Sequence, residues 1–174
     1  QSNVRALLHG IATNQDGRSS GLTVPRAEAH SRVAHAALAN AGLEPGNIGF
    51  LELHASGTPV GDPIEVSAMH DVYGEGEVPV WIGSVKAHLG HTEGLCGLAS
   101  LAKAVVSLEQ ATIPPQVHFD VANPNLGLDA SALAVAALPQ PWPKEAPYAA
   151  VHSYGYGGTN VHAVLGPTPP PGAL

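Results

Sequence analysis

Lys86, His88, His91 and Glu93 are packed into the stretch Gly83-Ser84-Val85-Lys86-Ala87-His88-Leu89-Gly90-His91-Thr92-Glu93, between an apolar run and the start of a helical pattern. Ionisable groups at a strand-to-helix turn are placed for ligand chemistry. In open α/β sheets ligands bind beyond the carboxyl ends of strands, and helix-start N–H groups favour negative charge. A second such turn lies upstream. Glu52-Leu53-His54-Ala55-Ser56-Gly57-Thr58-Pro59-Val60-Gly61-Asp62-Pro63 passes from an apolar segment through His54 and two hydroxyls to a proline-marked helix start. Two histidine-bearing turns of one kind point to one shared site. A neutral imidazole offers a single N–H donor to a developing oxyanion, and a donor fixed in a dry site is worth more than one in water. The competing reading of each ring is a core histidine satisfied by a backbone carbonyl.

These turns need strands to deliver them and helices to follow them. Residues 48–53 read as a buried apolar strand ending at His54, and residues 80–82 as a short strand before Lys86. Asp62 as N-cap, Pro63 at the first helical position and Glu65 completing a capping box predict a helix to about Tyr73, broken by Gly74-Glu75-Gly76-Glu77. Thr92 is placed to cap a helix ending near Gln110. With only Lys103 and Glu109 charged along it, that helix is expected to be sandwiched inside the protein. Residues 4–13 read as a strand, and Gln1-Ser2-Asn3 before them as a remnant of cloning or cleavage. A turn-rich loop leads to a helix from Pro25 to Asn40 or Ala41, stopped by Gly42. Residues 111–147 are linker-like, with an edge strand expected within 132–138. Residues 148–153 and 161–165 read as two strands joined by a glycine-rich turn, and the Pro-rich tail 167–174 is expected to be disordered. The order βαβαβα then ββ implies an α/β fold with helices on both faces of a mixed, mostly parallel sheet.

Composition narrows the function. The chain has 174 residues, of which 44% are hydrophobic and 12% charged, the balance of a globular domain. A formal net charge of −7 without a basic run argues against nucleic acid or an anionic membrane as partner, and an acidic partner would need a local basic patch. One cysteine, Cys96, excludes an intrachain disulfide and a cysteine-based zinc site and fits a reducing compartment. No stretch reads as a membrane span or signal peptide, and the expected location is cytoplasmic.

Four ordered motifs together resemble the ketosynthase (β-ketoacyl synthase) domains of polyketide and fatty acid synthases. The Lys86 to Glu93 stretch is similar to the family's Lys-x-x-x-Gly-His-Thr-Glu turn, and the Glu52 to Asp62 stretch to its Glu-x-His-x-Thr-x-Thr-x-x-Gly-Asp turn. Ser153-Tyr154-Gly155-Tyr156-Gly157-Gly158-Thr159-Asn160 resembles its closing glycine-rich turn. Ile113-Pro114-Pro115, His118-Phe119 and Asn123-Pro124-Asn125 resemble a segment of multifunctional polyketide synthases. The resemblance covers roughly residues 7 to 165, within a domain taken as 4–166, and only the second half of a family domain. It implies a thiolase-like fold, C-terminal half, and decarboxylative Claisen condensation of acyl and malonyl-type thioesters. In the family the residues matching His54 and His91 hydrogen-bond the extender thioester carbonyl, and those matching Lys86 and Glu93 support them. Ser56 and Thr58 match hydroxyls that contact the phosphopantetheine arm, although both also suit a turn. Tyr156 and Gly157 match the gating aromatic and the oxyanion-hole turn. The implied partners are an N-terminal half carrying the nucleophilic cysteine, an acyl carrier protein and a second copy in a homodimer. No cofactor is bound directly, since substrates ride on the carrier's phosphopantetheine.

This sequence departs from the family pattern in places. Ala55 and Ser56 replace Gly and Thr, Ala87-His88-Leu89 replaces Ser-Asn-Ile, and Tyr154 and Tyr156 stand where Phe is usual. Cys96 lies near a helix start, where thiol pKa values fall, yet it is away from the family's cysteine position and reads as structural. Metal binding by His88 and His91 lacks a supporting ligand cluster. Lacking the nucleophile, the chain alone is expected to be inactive. The alternative is a non-catalytic dimerisation or carrier-docking module derived from a ketosynthase.

Overall fold

In the computed structural model, which describes residues 4–19, 21 and 23–168, the chain runs β1 (Leu7–Gln15), α1 (Ala27–Ala41), β2 (Ile48–Glu52), α2 (Gly61–Tyr73), β3 (Val80–Gly83), a one-turn α3 (Lys86–Leu89), α4 (Cys96–Glu109), β4 (Thr112–Ile113), β5 (Leu133–Val135), β6 (Gln140–Pro141), β7 (Tyr148–Tyr154) and β8 (Thr159–Gly166). Gln1-Ser2-Asn3 and residues 169–174 of the Pro-rich tail lie outside the described residues. Six strands form a sheet in the order β1-β8-β7-β2-β3-β5, and β4 pairs with β6. β7, β2, β3 and β5 are parallel neighbours, whereas β8 is antiparallel to both β1 and β7. The sheet is therefore mixed and mostly parallel.

β2 is buried along its whole length, as a central strand covered on both faces must be. Its alternate side chains enter two cores. Leu51 joins Leu38, Val66, Met69 and Tyr73 under α1 and α2, while Phe50 joins Ala104, Leu108 and Leu165 under α4. Full burial of one such side chain contributes about 1.5–3 kcal/mol. α1 lies close on β1 because Gly10 has no side chain: a Cβ there would stand 2.4 Å from the Ala37 carbonyl oxygen. Gly42 ends α1 in the left-handed conformation at φ 66°, which glycine adopts without strain.

Three expectations are corrected. α2 does not open on a capping box at Asp62 and Glu65. Its first turn is served by Thr58, whose Oγ1 accepts the Gly61 N–H at 3.0 Å. The two carboxylates are thereby free to bind the preceding loop: Asp62 accepts from Gly57 and Thr58, and Glu65 from His54 and Ala55. Nor is α4 capped by Thr92 or sandwiched. A 3₁₀ turn, Glu93–Leu95, leads into it, and it covers β7 with one face while Leu98 on the other is 63% exposed. That second face is left uncovered at the apolar Leu98 and Val106 among the described residues. The 111–147 segment is more than a linker. It supplies the β4–β6 ribbon, and the edge strand expected within 132–138 is present as β5 beside β3.

Candidate active site

β2 and β3 end side by side, so the two histidine turns leave the sheet together. The Leu53 N–H donates to the Gly83 carbonyl at 2.8 Å, carrying the ladder past β2. Glu52, wholly buried, ties both turns to α4: its carboxylate accepts the Val85 N–H and pairs with Lys103 Nζ at 2.8 Å. Burial holds that carboxyl above its ordinary range against the pull of Lys103. Glu65 anchors the His54 turn by accepting two backbone N–H groups, from His54 and Ala55, at 2.8 Å each. Burial pushes its carboxyl up to about 8, with those N–H donors opposing.

His54 is 5% exposed, and its Nδ1 has no partner among the described residues. Burial first, then the charges of Lys86, His91 and His30, lowers its pKa to about 3, so the ring is neutral at physiological pH. The His91 ring stands edge-on to it, with centroids 5.4 Å apart at 79°. The Glu93 main-chain N–H donates to His91 Nδ1 at 2.9 Å. That nitrogen is an acceptor, so the proton of the neutral ring sits on Nε2.

His54, His91, Ser56, Thr58, Glu93 and Tyr156 line one cavity of about 1190 Å³, whereas Gly157 stands outside it. Lys86 opens onto a neighbouring cavity of about 350 Å³ that shares Ser56. Its Nζ has no hydrogen-bond partner among the described residues, and burial lowers its pKa against the attraction of Cys96, Glu65, Glu52 and Asp62. The Glu93 carboxylate is exposed and forms no ion pair among the described residues. In the glycine-rich turn, the Gly155 and Gly158 N–H groups bond to Thr159 and Gly155 carbonyls. The Tyr156 and Gly157 N–H groups are left without a backbone acceptor among the described residues, and the Tyr156 side chain is 75% exposed. Cys96 also lines the large cavity, its Sγ 3.7 Å from Ser153 Oγ. His88 and His91 acquire no third ligand, since no three His, Cys, Asp or Glu side chains group as a metal site among the described residues.

These observations have a counterpart in known proteins. The family model described as β-ketoacyl synthase, C-terminal domain, matches residues 5–120. The chain belongs to this family. As a β-ketoacyl synthase C-terminal domain it is 43% identical over 169 residues to highly-reducing polyketide synthase 1 of Aureobasidium melanogenum, covering 95% of this chain and 8% of that protein. It is 43% identical over 171 residues to erythronolide synthase EryA3 of Saccharopolyspora erythraea, covering 95% and 5% respectively. Among solved structures, the oxazolomycin ketosynthase domain OzmH KS7 of Streptomyces albus JA3453 superposes with a TM-score of 0.90 at 34% identity, over 97% of this chain and 30% of that one. The ketosynthase from module 1 of the bacillaene synthase of Bacillus amyloliquefaciens FZB42 gives 0.89 at 37%, over 95% and 32%. The fold is thus the thiolase-like fold of ketosynthases. The chain spans about a third of those ketosynthase chains and less than a tenth of the curated polyketide synthases.

Sequence reasoning on this ketosynthase domain noted Tyr154 only as a Tyr where Phe is usual, and it passed over His30. The Tyr154 ring lies 4.1 Å from His54 on one side and 4.7 Å from His30 on the other. Alternation along β7 gave a usable signal for Tyr154, because Ser153 and Tyr154 must point to opposite faces. His30, on a helix far away in sequence, gave none.

Proposed function

We propose that this chain is the C-terminal half of a polyketide synthase ketosynthase, serving decarboxylative condensation with His54 and His91 as the groups that stabilise the enolate. The observation that carries this reading is the pair of rings in one cavity, His54 neutral and His91 with its donor fixed on Nε2. An acyl chain waits as a thioester on a cysteine of the N-terminal half. A malonyl-type thioester, carried on the phosphopantetheine of an acyl carrier protein, enters with its carbonyl oxygen between the two rings. The bond to the carboxylate breaks, carbon dioxide leaves, and the electron pair passes into an enolate whose oxygen receives imidazole N–H bonds. The enolate carbon attacks the acyl carbonyl, and collapse of the adduct expels the cysteine thiolate. Neither ring has to change its protonation.

Ser56 and Thr58 line the same cavity and suit the carrier arm. The unbonded Tyr156 and Gly157 N–H groups suit the oxyanion formed during acyl transfer, with the exposed Tyr156 ring beside them as a gate. Lys86, half-buried with its Nζ unpaired among the described residues, adds to the burial that keeps His54 from taking a proton, while Glu93 orders His91 through its main chain.

The test is complementation with an N-terminal half. Condensation should appear only with both halves, and His54→Ala or His91→Ala should each lower it about 10²–10³-fold while leaving acylation of the cysteine intact. Carbon–carbon bond formation by this chain alone would overturn the reading. So would unaltered condensation by the double alanine variant. The uncovered face of α4 favours a second reading, a docking module, whose signature is partner binding with no condensation in any combination.

A further inference from the structure

Behind the site, away from the cavity, four side chains form a continuous buried chain. Tyr73 Oη lies 2.8 Å from His162 Nε2, His162 Nδ1 lies 3.1 Å from His152 Nδ1, and His152 Nε2 lies 3.2 Å from His30 Nδ1. The three rings have no exposed surface, and Tyr73 is 1% exposed. The remaining nitrogen, His30 Nε2, has no hydrogen-bond partner among the described residues, and the Asp16 Oδ1 charge stands 3.8 Å from it, beyond hydrogen-bond reach. The Asn160 amide is beside it too. Asn160 Nδ2 is already donated to Asn14 and Asp16, which leaves its Oδ1 without a donor.

Two opposite proton orders satisfy these three contacts, and the carboxylate near His30 selects one of them. A neutral imidazole carries one N–H and one acceptor nitrogen. Everything facing His30 Nε2 is an acceptor, so that nitrogen holds the proton and His30 Nδ1 accepts. His152 must then donate from Nε2 and accept at Nδ1. His162 must donate from Nδ1 and accept at Nε2, which requires Tyr73 to be the donor at the far end. One carboxylate thus sets the tautomer of three rings. A proton entering at His30 would reverse every bond and leave the Tyr73 O–H pointing at an N–H, with no other acceptor placed for it among the described residues.

The near end of the chain reaches the proposed catalytic pair. The Tyr154 hydroxyl is buried without a hydrogen-bond partner, so packing alone orients the ring, between His30 and His54. We propose that Tyr73, His162, His152 and His30 form a one-way hydrogen-bond chain polarised by Asp16, and that it seats Tyr154 against His54, making His30 and His152 positioning residues for the condensation. The functional half of this inference rests on the reading given above. The groups facing the assembly are Asp16 and Asn160 at His30, His54 at His30 and His152, Asp62, Glu65 and Asp16 at Tyr154, and Lys86 and His91 at His54. Burial lowers the pKa of all three chain rings, in keeping with an order that admits no extra proton.

The first measurement needs no substrate. In the ¹⁵N-labelled full chain, side-chain NMR should find protons on His30 Nε2, His152 Nε2 and His162 Nδ1 at neutral pH, unchanged down to pH 5. Any other tautomer, or a ring among the three titrating at its ordinary value, would overturn the chain. Asp16→Asn should mix the tautomers, since an amide can donate as well as accept, whereas Tyr73→Phe should preserve them; the same pattern in both variants would refute the polarising role of Asp16. In the complemented enzyme, His30→Leu should lower kcat roughly ten- to hundredfold with KM unchanged, and His30→Gln, which can still accept from His152, should recover most of it. Equal activity of the Leu and Gln variants would overturn the positioning role. Because the tautomers are read without turnover, loss of the condensation reading would not disturb the first result, and the reverse also holds.

Discussion

At the level of single residues, the same backbone that forms the turns also sets their chemistry. His91 is oriented by a main-chain N–H of Glu93, a residue held at φ 52°, in the left-handed region uncommon for side chains other than glycine. Glu93→Gln should therefore leave the His91 proton on Nε2, read by ¹⁵N NMR, and a change of tautomer would show that the carboxylate takes part. Tyr154 separates ring from hydroxyl in the same way. Its Oη is buried and unpartnered, so Tyr154→Phe should keep stability within about 1 kcal/mol or raise it, whereas Tyr154→Ala, which empties the space between His30 and His54, should cost about 3–5 kcal/mol in urea unfolding.

At the level of elements, carboxylates at the ends of β2 and in α2 hold the histidine turns in place. Glu65→Gln puts an NH₂ against one of the two N–H groups its carboxylate now receives. A loss of about 1–3 kcal/mol is expected, measured by denaturant midpoint, together with weaker protection of the His54 and Ala55 amides from exchange. Gly10→Ala should cost about 1–3 kcal/mol by forcing α1 off β1. Most elements were legible: the helix ending at Gly42, the apolar run into His54, the strand before Lys86 and the hairpin around the glycine-rich turn all follow from local pattern. The start of α2 was not, because Thr58 and Pro59 offer as good a start as the expected capping box at Asp62, and the choice depends on loop N–H groups that only the folded turn presents. The surface position of α4 was illegible for a related reason, since hydrophobicity reports what a helix wants covered and not which chain covers it. His54 and His91 could be picked out by motif. The chain behind them could not, as it joins α1, α2, β7 and β8, whose histidines and tyrosine carry no shared spacing.

For the whole molecule, buried histidines make stability depend on acid. His30, His54, His152 and His162 stay neutral in the fold but protonate near their ordinary value of 6.5 once unfolded. Their contribution is full above pH 6.5 and is lost as pH falls below it, by up to about 1.4 kcal/mol per pH unit for each ring. Glu65 acts in the opposite sense: raised to about 8 from 4.5, it favours the fold fully below 4.5 and loses that contribution as pH rises toward 8. Glu52 and Asp62, whose carboxyls burial also raises, act with Glu65, so the dependence below pH 6.5 is the net of the histidine rings against these carboxyls. The urea midpoint should fall between pH 6.5 and 4.5, and a midpoint that rises as pH falls would mean that the rings are not buried neutral. The uncovered apolar surface gives a further expectation. Leu8 and Ile11 of β1 and Leu98 of α4 are exposed and line one side of the large cavity. The isolated chain should self-associate in sedimentation velocity, and Leu98→Glu should reduce that association while impairing complementation by an N-terminal half.

The strand order has a consequence for how the protein is made. β1 finds its neighbour in β8, and β2 finds one of its two in β7, so the sheet joins these strands to a hairpin far along the sequence. A nascent chain halted at residue 147 would already contain both histidine turns yet lack the strand that holds β2 to the rest of the sheet. Such pairings of high sequence separation form slowly. During synthesis β2 therefore gains this neighbour only when the hairpin of β7 and β8 clears the ribosome; chains stalled beyond the hairpin should resist protease across β2 and its histidine turn more than chains stalled before it.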